Sequence, residues 1–153
     1  MQKRQPITVV AWASAIAHAV EACGGNSEAL FEQAGVPYAA AVDPEALLPT
    51  SEVSRLFELA SAELDNPDFG LRVAPYVNLC SFHALGYSLY SSRTLHDFCE
   101  RLIAFFRIHS DNVTHSLQET DSGFRLLIHE VNKGISMIAW DAWLTCVVQF
   151  CRV

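Results

Sequence analysis

The hydrophobic periodicity of this chain changes at about residue 112, and this change constrains the fold more than any other feature of the sequence. Upstream, apolar side chains recur at the spacing of amphipathic helices. Downstream, Val113, His115 and Leu117 alternate with polar residues, and a second run at 124–131 follows the turn Asp121-Ser122-Gly123. Two such runs around a glycine-containing turn are typical of a β-hairpin. We therefore expect an α+β domain of about six to seven helices, with a β-hairpin or small antiparallel sheet near its C-terminal third.

Apolar periodicity, together with residues that begin or end helices, predicts the helices before the hairpin. Asn26 or Ser27 caps the second helix, and Thr50 caps the third. Thr94 and Asp97 form a T-x-x-D capping box at the start of the sixth. The predicted ranges are 8–23, 27–35, 50–64, 67–75, 81–90 and 94–109, with a loop at 37–49.

Three local predictions accompany these helices. Pro67 is expected as the first residue of the fourth helix, where its missing N–H is harmless. Gly86 lies inside the fifth helix and costs about 1 kcal/mol relative to alanine, which predicts a close contact with a neighbouring helix. The sixth helix is expected to bury Phe98, Leu102 and Phe105 beneath the hairpin.

Residues 135–151 are predicted to form a last helix that is apolar nearly all round. Asp141 and Gln149 interrupt its surface, and the segment is shorter than the roughly 20 residues that cross a bilayer. We therefore expect a buried helix and no membrane partner. The apolar pattern reaches Val153 without a C-cap, so we interpret residues 1–153 as one domain of a longer protein.

The charge of the chain argues against binding of nucleic acid by this domain. The formal net charge is −7, with 17 acidic and 10 basic residues, and the basic residues do not cluster. The Gly24-Gly25 turn between the first two helices is reminiscent of a helix-turn-helix. The second helix, however, carries Glu28 and Glu32 and no basic residue, so its face would repel phosphate.

Five cysteines without a C-x-x-C pair indicate a reducing compartment, and we expect the cytoplasm. Lys3 and Arg4 before an apolar run leave a secretory signal as the alternative. Trp12, Ile16 and Val20 recur at helical spacing, which favours an amphipathic first helix.

Sequence patterns for catalysis and metal binding are incomplete. The segment Gly86-Tyr87-Ser88-Leu89-Tyr90 lacks the closing glycine of a nucleophile elbow and lies in a helical pattern. Neither the pair Cys80 and His83 nor the histidines around residue 110 supply the four paired ligands of a structural zinc. Dinucleotide-binding, P-loop and H-E-x-x-H motifs are absent from the sequence. We therefore expect no catalysis, no cofactor and no metal.

The segment LGYSLYSSRTL at residues 85–95 resembles the LGYxLxSSxTL core of one branch of the AraC/XylS-type transcription regulators. That branch has an arabinose-binding-like N-terminal domain and includes the ornithine-utilisation regulators. Upstream, NPDFGLR at residues 66–72 is similar to the DPxxGLR turn of the family, and residues 30–36 look like its short second helix. The resemblance covers about residues 7–150, and its motifs are structural rather than catalytic.

The resemblance implies a cytoplasmic sensor domain that binds a small-molecule effector and controls transcription. It also implies a C-terminal domain with two helix-turn-helix motifs, through which alone the protein would contact DNA. The sensor is expected to form a homodimer as part of its response.

We expect the effector pocket between the 94–109 helix, the hairpin and the last helix. Its predicted ligand-binding residues are Phe105, His109, His115, Arg125 and Trp140. An apolar effector would contact the aromatic rings, whereas an amino-acid-like effector would need Arg125 or the histidines. The structural alternatives are a buried, hydrogen-bonded His115 and a solvated strand edge at Arg125.

Two other functions remain open at this stage. One is a protein-interaction module without a small-molecule effector, in which the apolar last helix binds a partner or a second copy. Dimerisation that no metabolite changes would favour it. The other is a small enzyme, which the incomplete motifs disfavour.

Overall fold

The computed structural model describes residues 6–9, 11–43 and 47–152, without the side chain of Val9. Within these ranges the chain forms an α+β fold of seven α-helices and two small antiparallel sheets, as expected. None of the helices that the structure describes is long and apolar enough to cross a membrane. The helices are α1 (Ala11–Ala22), α2 (Ser27–Ala34), α3 (Thr50–Glu63), α4 (Phe69–Val73), α5 (His83–Tyr90), α6 (Leu95–Phe105) and α7 (Met137–Phe150). The strands are β1 (Ile7–Val9), β2 (Leu47–Pro49), β3 (Val113–Thr120) and β4 (Gly123–Glu130), and short 3₁₀ helices lie at Tyr38–Ala41, Ala74–Tyr76, Leu79–Phe82 and Phe106–Ile108.

The second helix confirms the sequence prediction at both ends. The Asn26 side chain accepts a hydrogen bond from the backbone N–H of Ala29 at 3.0 Å. Gly35 ends α2 with a φ of 67°, in the left-handed region that glycine adopts without strain. The apolar face predicted for α3 is also buried: Val53, Leu56, Phe57 and Ala60.

The first predicted helix begins too early, because Thr8 lies in a strand. Residues Ile7–Val9 pair antiparallel with Leu47–Pro49, and α1 begins only at Ala11. The prediction of a loop at 37–49 is also wrong, because this segment contains β2 and a 3₁₀ helix. Its residues 44–46 lie outside the described residues. Strands of three residues are too short to produce a recognisable alternation.

Thr50 and Pro67 occupy different positions from those predicted. Thr50 is the first residue of α3 rather than its cap, and its N–H donates to the Pro6 carbonyl at 2.9 Å. Pro67 lies in a turn before α4, where the Asn66 side chain accepts from the Asp68 N–H at 3.1 Å. The chain enters both helices through tertiary contacts or turns that the sequence pattern does not reveal.

The sixth helix is confirmed in position, but its last turn differs from the prediction. The Thr94 hydroxyl accepts from the Asp97 N–H at 3.1 Å, while the Asp97 carboxylate accepts from Arg93 and not from Thr94. Phe98 is buried, as is Leu102. Phe105 is 47% exposed, and Phe106 in the following 3₁₀ turn is buried in its place.

The predicted hairpin is confirmed, with a two-residue turn at Asp121 and Ser122. His115 pairs with Ile128, and directly opposite residues share one face of the ladder. That face lies toward the protein core, as the burial of Val113 and His115 shows. Arg125 belongs to the opposite face, which is solvated.

The last helix, predicted to be buried because it is apolar nearly all round, is buried on one side only. Its inner side contains Trp143, Cys146 and Phe150. Its outer side carries exposed Met137, Leu144 and Val148. The helix lies so close to α4 that a Cβ at Gly70 would overlap the Ile138 carbonyl oxygen. Gly70 therefore permits this close approach.

Gly86 packs closely against backbone, as predicted, although the neighbour is the 3₁₀ helix Leu79–Phe82 and not an α-helix. A Cβ at this position would overlap the Leu79 carbonyl oxygen. Backbone atoms cannot move aside as the end of a flexible side chain can. The glycine is therefore required by the contact between α5 and the preceding turn.

We predict that Gly86→Ala destabilises the fold by about 1–3 kcal/mol or more, as overpacking does. In a helix without this contact, the same change stabilises by about 1 kcal/mol. Urea denaturation of the variant measures the sign of the change. Ala84→Gly, at an exposed position of α5, is the control for helix propensity. Stabilisation by Gly86→Ala would contradict the contact.

Candidate functional site

A cavity with about 480 Å³ of empty space, open to solvent on one side, lies where β1, α3, the start of β3 and α7 meet. Aromatic and aliphatic side chains make up most of its wall, with a few hydroxyl groups among them. Its lining consists of Thr8, Trp12, Thr50, Val53, Ser54, Phe57, Phe106, Ser110, Val113, Ile135, Ala139, Trp140 and Trp143. Small-molecule sites have linings of this composition.

Strand β1 forms one side of the cavity because it is held from two directions. Thr8 pairs with Leu48 of β2 and bridges to Ser110 at the start of the hairpin corner. The Ile7 N–H donates to the Asp111 carboxylate at 2.7 Å. These bonds bring residues that are 104 positions apart in sequence to one edge of the cavity.

The first turns of α3 and α7 meet on another side. The Ser136 N–H, at the N-cap of α7, donates to the Ser54 hydroxyl at 3.2 Å. This bond crosses 82 positions of sequence and fixes the two helix starts side by side. Thr50 therefore faces the same cavity as Ala139 and Trp140.

All three tryptophans of the chain line the cavity. The Trp143 ring lies 6.3 Å from that of Trp12, edge on, and 4.7 Å from that of Phe106. Aromatic pairs in such arrangements contribute about 0.5–1.5 kcal/mol beyond the area they bury.

Hydroxyl groups supply the polar character of the cavity, because none of the described residues that line it is charged. Ser54 accepts from Ser136, and Ser110 accepts from the Asn112 N–H at 3.3 Å. The Thr50 hydroxyl is buried and has no hydrogen-bond partner among the described residues. A buried polar group without a partner costs free energy that a bound ligand can recover.

His115 lies behind the aromatic wall. Its Nε2 accepts a hydrogen bond from the Trp143 indole N–H at 3.3 Å. Burial and, to a smaller extent, the nearby His129 lower the pKa of His115 to about 4. The ring is therefore neutral at physiological pH and carries its proton on Nδ1, for which the described residues offer no acceptor.

His109 is also buried and supports the aromatic core. Its ring meets Phe82 edge on at 5.6 Å. Burial lowers the pKa of His109, and the charge of His83 contributes. At neutral pH both buried histidines are thus uncharged parts of the core, and His115 accepts a hydrogen bond there.

The structure does not bring the five predicted ligand-binding residues together. Trp140 lines the cavity, whereas His109 and His115 are buried next to it. Phe105 and Arg125 are exposed on other surfaces. The chain neighbours of three predicted residues line the cavity instead: Phe106, Ser110 and Val113 lie within two positions of Phe105, His109 and His115.

Thr8, Thr50 and Ser54 line the cavity and were not identified from the sequence. Each was assigned a helix position or given no role, because a hydroxyl residue at the start of a helix resembles a cap. One signal in the sequence was available for Thr50, the proline that precedes it. Pro49 occupies the N-cap position of α3, so the Thr50 side chain is not needed as the cap.

A second, larger groove lies where the effector pocket was expected, between α6, the hairpin and the end of α7. It has about 950 Å³ of empty space and is open to solvent. Its lining is apolar, with His96 and Arg152 at two positions. The lining consists of Leu95, His96, Cys99, Leu117, Phe124, Leu126, Val147, Val148, Cys151 and Arg152.

The residues considered for catalysis and metal binding do not assemble. Ser88 lies on α5, where its hydroxyl and carbonyl accept from Arg101. Among the described residues, no three His, Cys, Asp or Glu side chains are arranged to hold a metal ion. The five cysteines are free thiols, and only Cys99 and Cys146 are buried.

Comparison with known proteins identifies one family. The family model described as the arabinose-binding domain of AraC transcription regulator, N-term, matches residues 24–153. Among curated proteins, none matches the chain. The family match includes α2 to α7 and the hairpin, and therefore most of the cavity lining.

We predict that His115 makes stability depend on pH between about 6.5 and 4. In this window the unfolded chain binds the proton and the folded chain does not, so the free energy of unfolding falls as pH decreases. The pKa of about 4 corresponds to a loss of about 3 kcal/mol from pH 7 to pH 4. Urea denaturation across this range should show a shallower dependence for His115→Gln. The control is His18→Gln, at an exposed position of α1, which should keep the full pH dependence of the unfolding free energy. An equal pH dependence in the parent chain and both variants would contradict the burial of a neutral imidazole.

Proposed function

The chain belongs to the family of N-terminal arabinose-binding domains of AraC transcription regulators, and from this membership we propose that the cavity beside Trp12, Trp140 and Trp143 binds the effector. The chain is a ligand-sensing regulatory domain, in a family of sensing domains and not of enzymes. We propose further that effector binding controls a separate DNA-binding domain of the same regulator in the cytoplasm. The net charge of −7 supports a division of labour in which that other domain contacts the DNA.

The observation that carries this proposal is the enclosure of an uncharged cavity by all three tryptophans. Its wall combines apolar rings with a few hydroxyl groups, which is how proteins bind small organic molecules. The unpartnered Thr50 hydroxyl adds a buried group that a ligand would satisfy. The polar side chains of the larger groove at the end of α7, His96 and Arg152, are exposed to solvent, as are apolar residues of its lining such as Leu95 and Phe124.

Helix α7 is the element through which occupancy can be transmitted. Its first turn lines the cavity with Ala139 and Trp140, and its outer side exposes Leu144 and Val148. An effector shifts a conformational equilibrium only by its difference in affinity for the two states. A ligand that packs against Trp140 therefore favours one position of α7, and with it one position of the outer apolar surface.

We predict that Ala139→Phe, which fills the cavity, abolishes stabilisation by the effector. A ligand at 100 times its dissociation constant adds about 2.7 kcal/mol to the stability of the protein. Thermal denaturation of the chain against amino acids, sugars and fatty acids identifies ligands that raise the melting temperature. Ala104→Phe, at an exposed position of α6, is the matched control and should keep the shift. A ligand that stabilises Ala139→Phe as much as the parent chain binds elsewhere and would overturn the proposed site.

A second candidate function is self-association through the outer side of α7. Met137, Leu144 and Val148 recur at the spacing of one helix face and are 74%, 47% and 50% exposed. Exposed apolar stripes of this kind mark surfaces that bind another protein. The proposed partner is a second copy of the chain, because a symmetric pair would cover the same stripe on both copies.

We predict that Leu144→Glu weakens this dimer by introducing charge into its apolar stripe. Sedimentation equilibrium of the parent chain and the variant measures the dissociation constant. Leu71→Glu is a matched control, because Leu71 is also 47% exposed but lies on α4. A monomeric parent chain, or a Leu144→Glu variant that dimerises like the parent, would contradict this second function. Dimerisation that ignores every ligand found above would favour an interaction module over a sensor.

A further inference from the structure

We infer that the ligand of the cavity is an uncharged, mainly apolar molecule with one hydrogen-bond acceptor, such as a ketone or ester oxygen, which Thr50 binds. This inference rests on the proposed function and specifies its ligand class. It differs from the sugar that the family description suggests. Three features of the cavity lining support this inference: it is uncharged, it has few hydroxyl groups, and it lies at the starts of two helices.

The absence of charge in the lining disfavours a carboxylate ligand. Among the described residues, no Arg, Lys or His side chain lines the cavity. Arg125, the cation expected to bind an amino-acid-like effector, lies on the solvated face of the hairpin. A carboxylate moved from water into such a wall loses its hydration without gaining a salt bridge.

The hydroxyl groups of the lining are few for a sugar. Ser54 and Ser110 each already accept a hydrogen bond from a backbone N–H group, which leaves mainly their O–H donors for a ligand. Thr8 lies in the short β1–β2 ladder, and the remaining wall is aromatic or aliphatic. Several sugar hydroxyls would therefore lack partners inside the cavity, and each unpaired group costs affinity.

Thr50 favours an acceptor on the ligand. Its buried hydroxyl can donate, and no described residue accepts from it. The hydroxyl lies at the first residue of α3, and the first turn of α7 adjoins it. Because helix N-termini carry partial positive charge, they favour an acceptor over a donor group beside Thr50, and it is the uncharged lining that disfavours a carboxylate.

A matched pair of probes tests the ligand class: cyclohexyl methyl ketone and cyclohexanecarboxylate. The two share a ring and a carbonyl group. The ketone carries a methyl group on the carbonyl carbon, where the carboxylate carries a charged oxygen. Fluorescence of the three tryptophans reports occupancy, because all three line the cavity. At neutral pH we expect the ketone to bind at least about tenfold more tightly than the carboxylate or L-arabinose, in keeping with the cost of burying an unpaired charge or unpaired hydroxyl groups.

The Thr50→Val variant removes the hydroxyl and keeps the shape of the side chain. We expect it to weaken ketone binding about fivefold, the effect of one neutral hydrogen bond. Thr114→Val, on the solvated face of β3, is the control and should bind like the parent chain. Unchanged affinity in Thr50→Val would overturn the role of the hydroxyl.

The outcomes separate the ligand class from the site. Tighter binding of L-arabinose or the carboxylate than of the ketone, lost in Ala139→Phe, would overturn the ligand class and leave the proposed function intact. Absence of ketone binding up to its solubility limit would also overturn the ligand class. Tight binding of any ligand that is unaffected by Ala139→Phe would count against the proposed function itself.

Discussion

The buried indole of Trp143 is the constraint on which the rest of the structure depends. Its N–H needs an acceptor once the ring is buried, and His115 Nε2 provides it at 3.3 Å. This bond requires a neutral imidazole, which burial also favours. The same indole ring contacts Trp12, Phe82 and Phe106, so one side chain joins α1, the 3₁₀ helices before α5 and after α6, the hairpin and α7. The orientation of α7 follows, with its inner side in the core and its outer side in solvent.

This orientation also produces the cavity. With Trp143 fixed against Trp12 and Phe106, the next turn toward the N-terminus of α7 brings Ala139 and Trp140 against α3. The Ser136 to Ser54 hydrogen bond holds that turn in position. A sensing domain needs one element that contacts both the ligand and an output surface, and α7 meets that need on its two sides. The uncharged lining then limits the ligand to molecules that bury well without an ion pair.

Elements defined by local patterns could be predicted from the sequence. The caps at Asn26 and Gly35, the apolar face of α3 and the alternation at Val113 and His115 each depend on neighbours within a few residues. The features that were missed depend on contacts between distant segments. Thr8 becomes a strand residue only because Leu48 and Ser110 pair with it. Phe105 and Phe106 lie seven and eight residues after Phe98, and both spacings fit the same face of a helix. The 3₁₀ turn at Phe106 decides which of the two rings is buried. Of the five predicted ligand-binding residues only Trp140 lines the cavity, and the hydroxyl residues of the lining were missed because they come from three separate segments of the chain.

The central claim is that a stabilising ligand occupies the cavity among the three tryptophans, and the indole N–H signals of these residues test it most directly. The chain labelled with ¹⁵N gives three such signals, one for each tryptophan. During titration with any ligand that raises the melting temperature, the account predicts shifts in the signals of Trp12, Trp140 and Trp143 together, saturating at one common dissociation constant. A ligand that stabilises the chain while all three signals stay in place would contradict it.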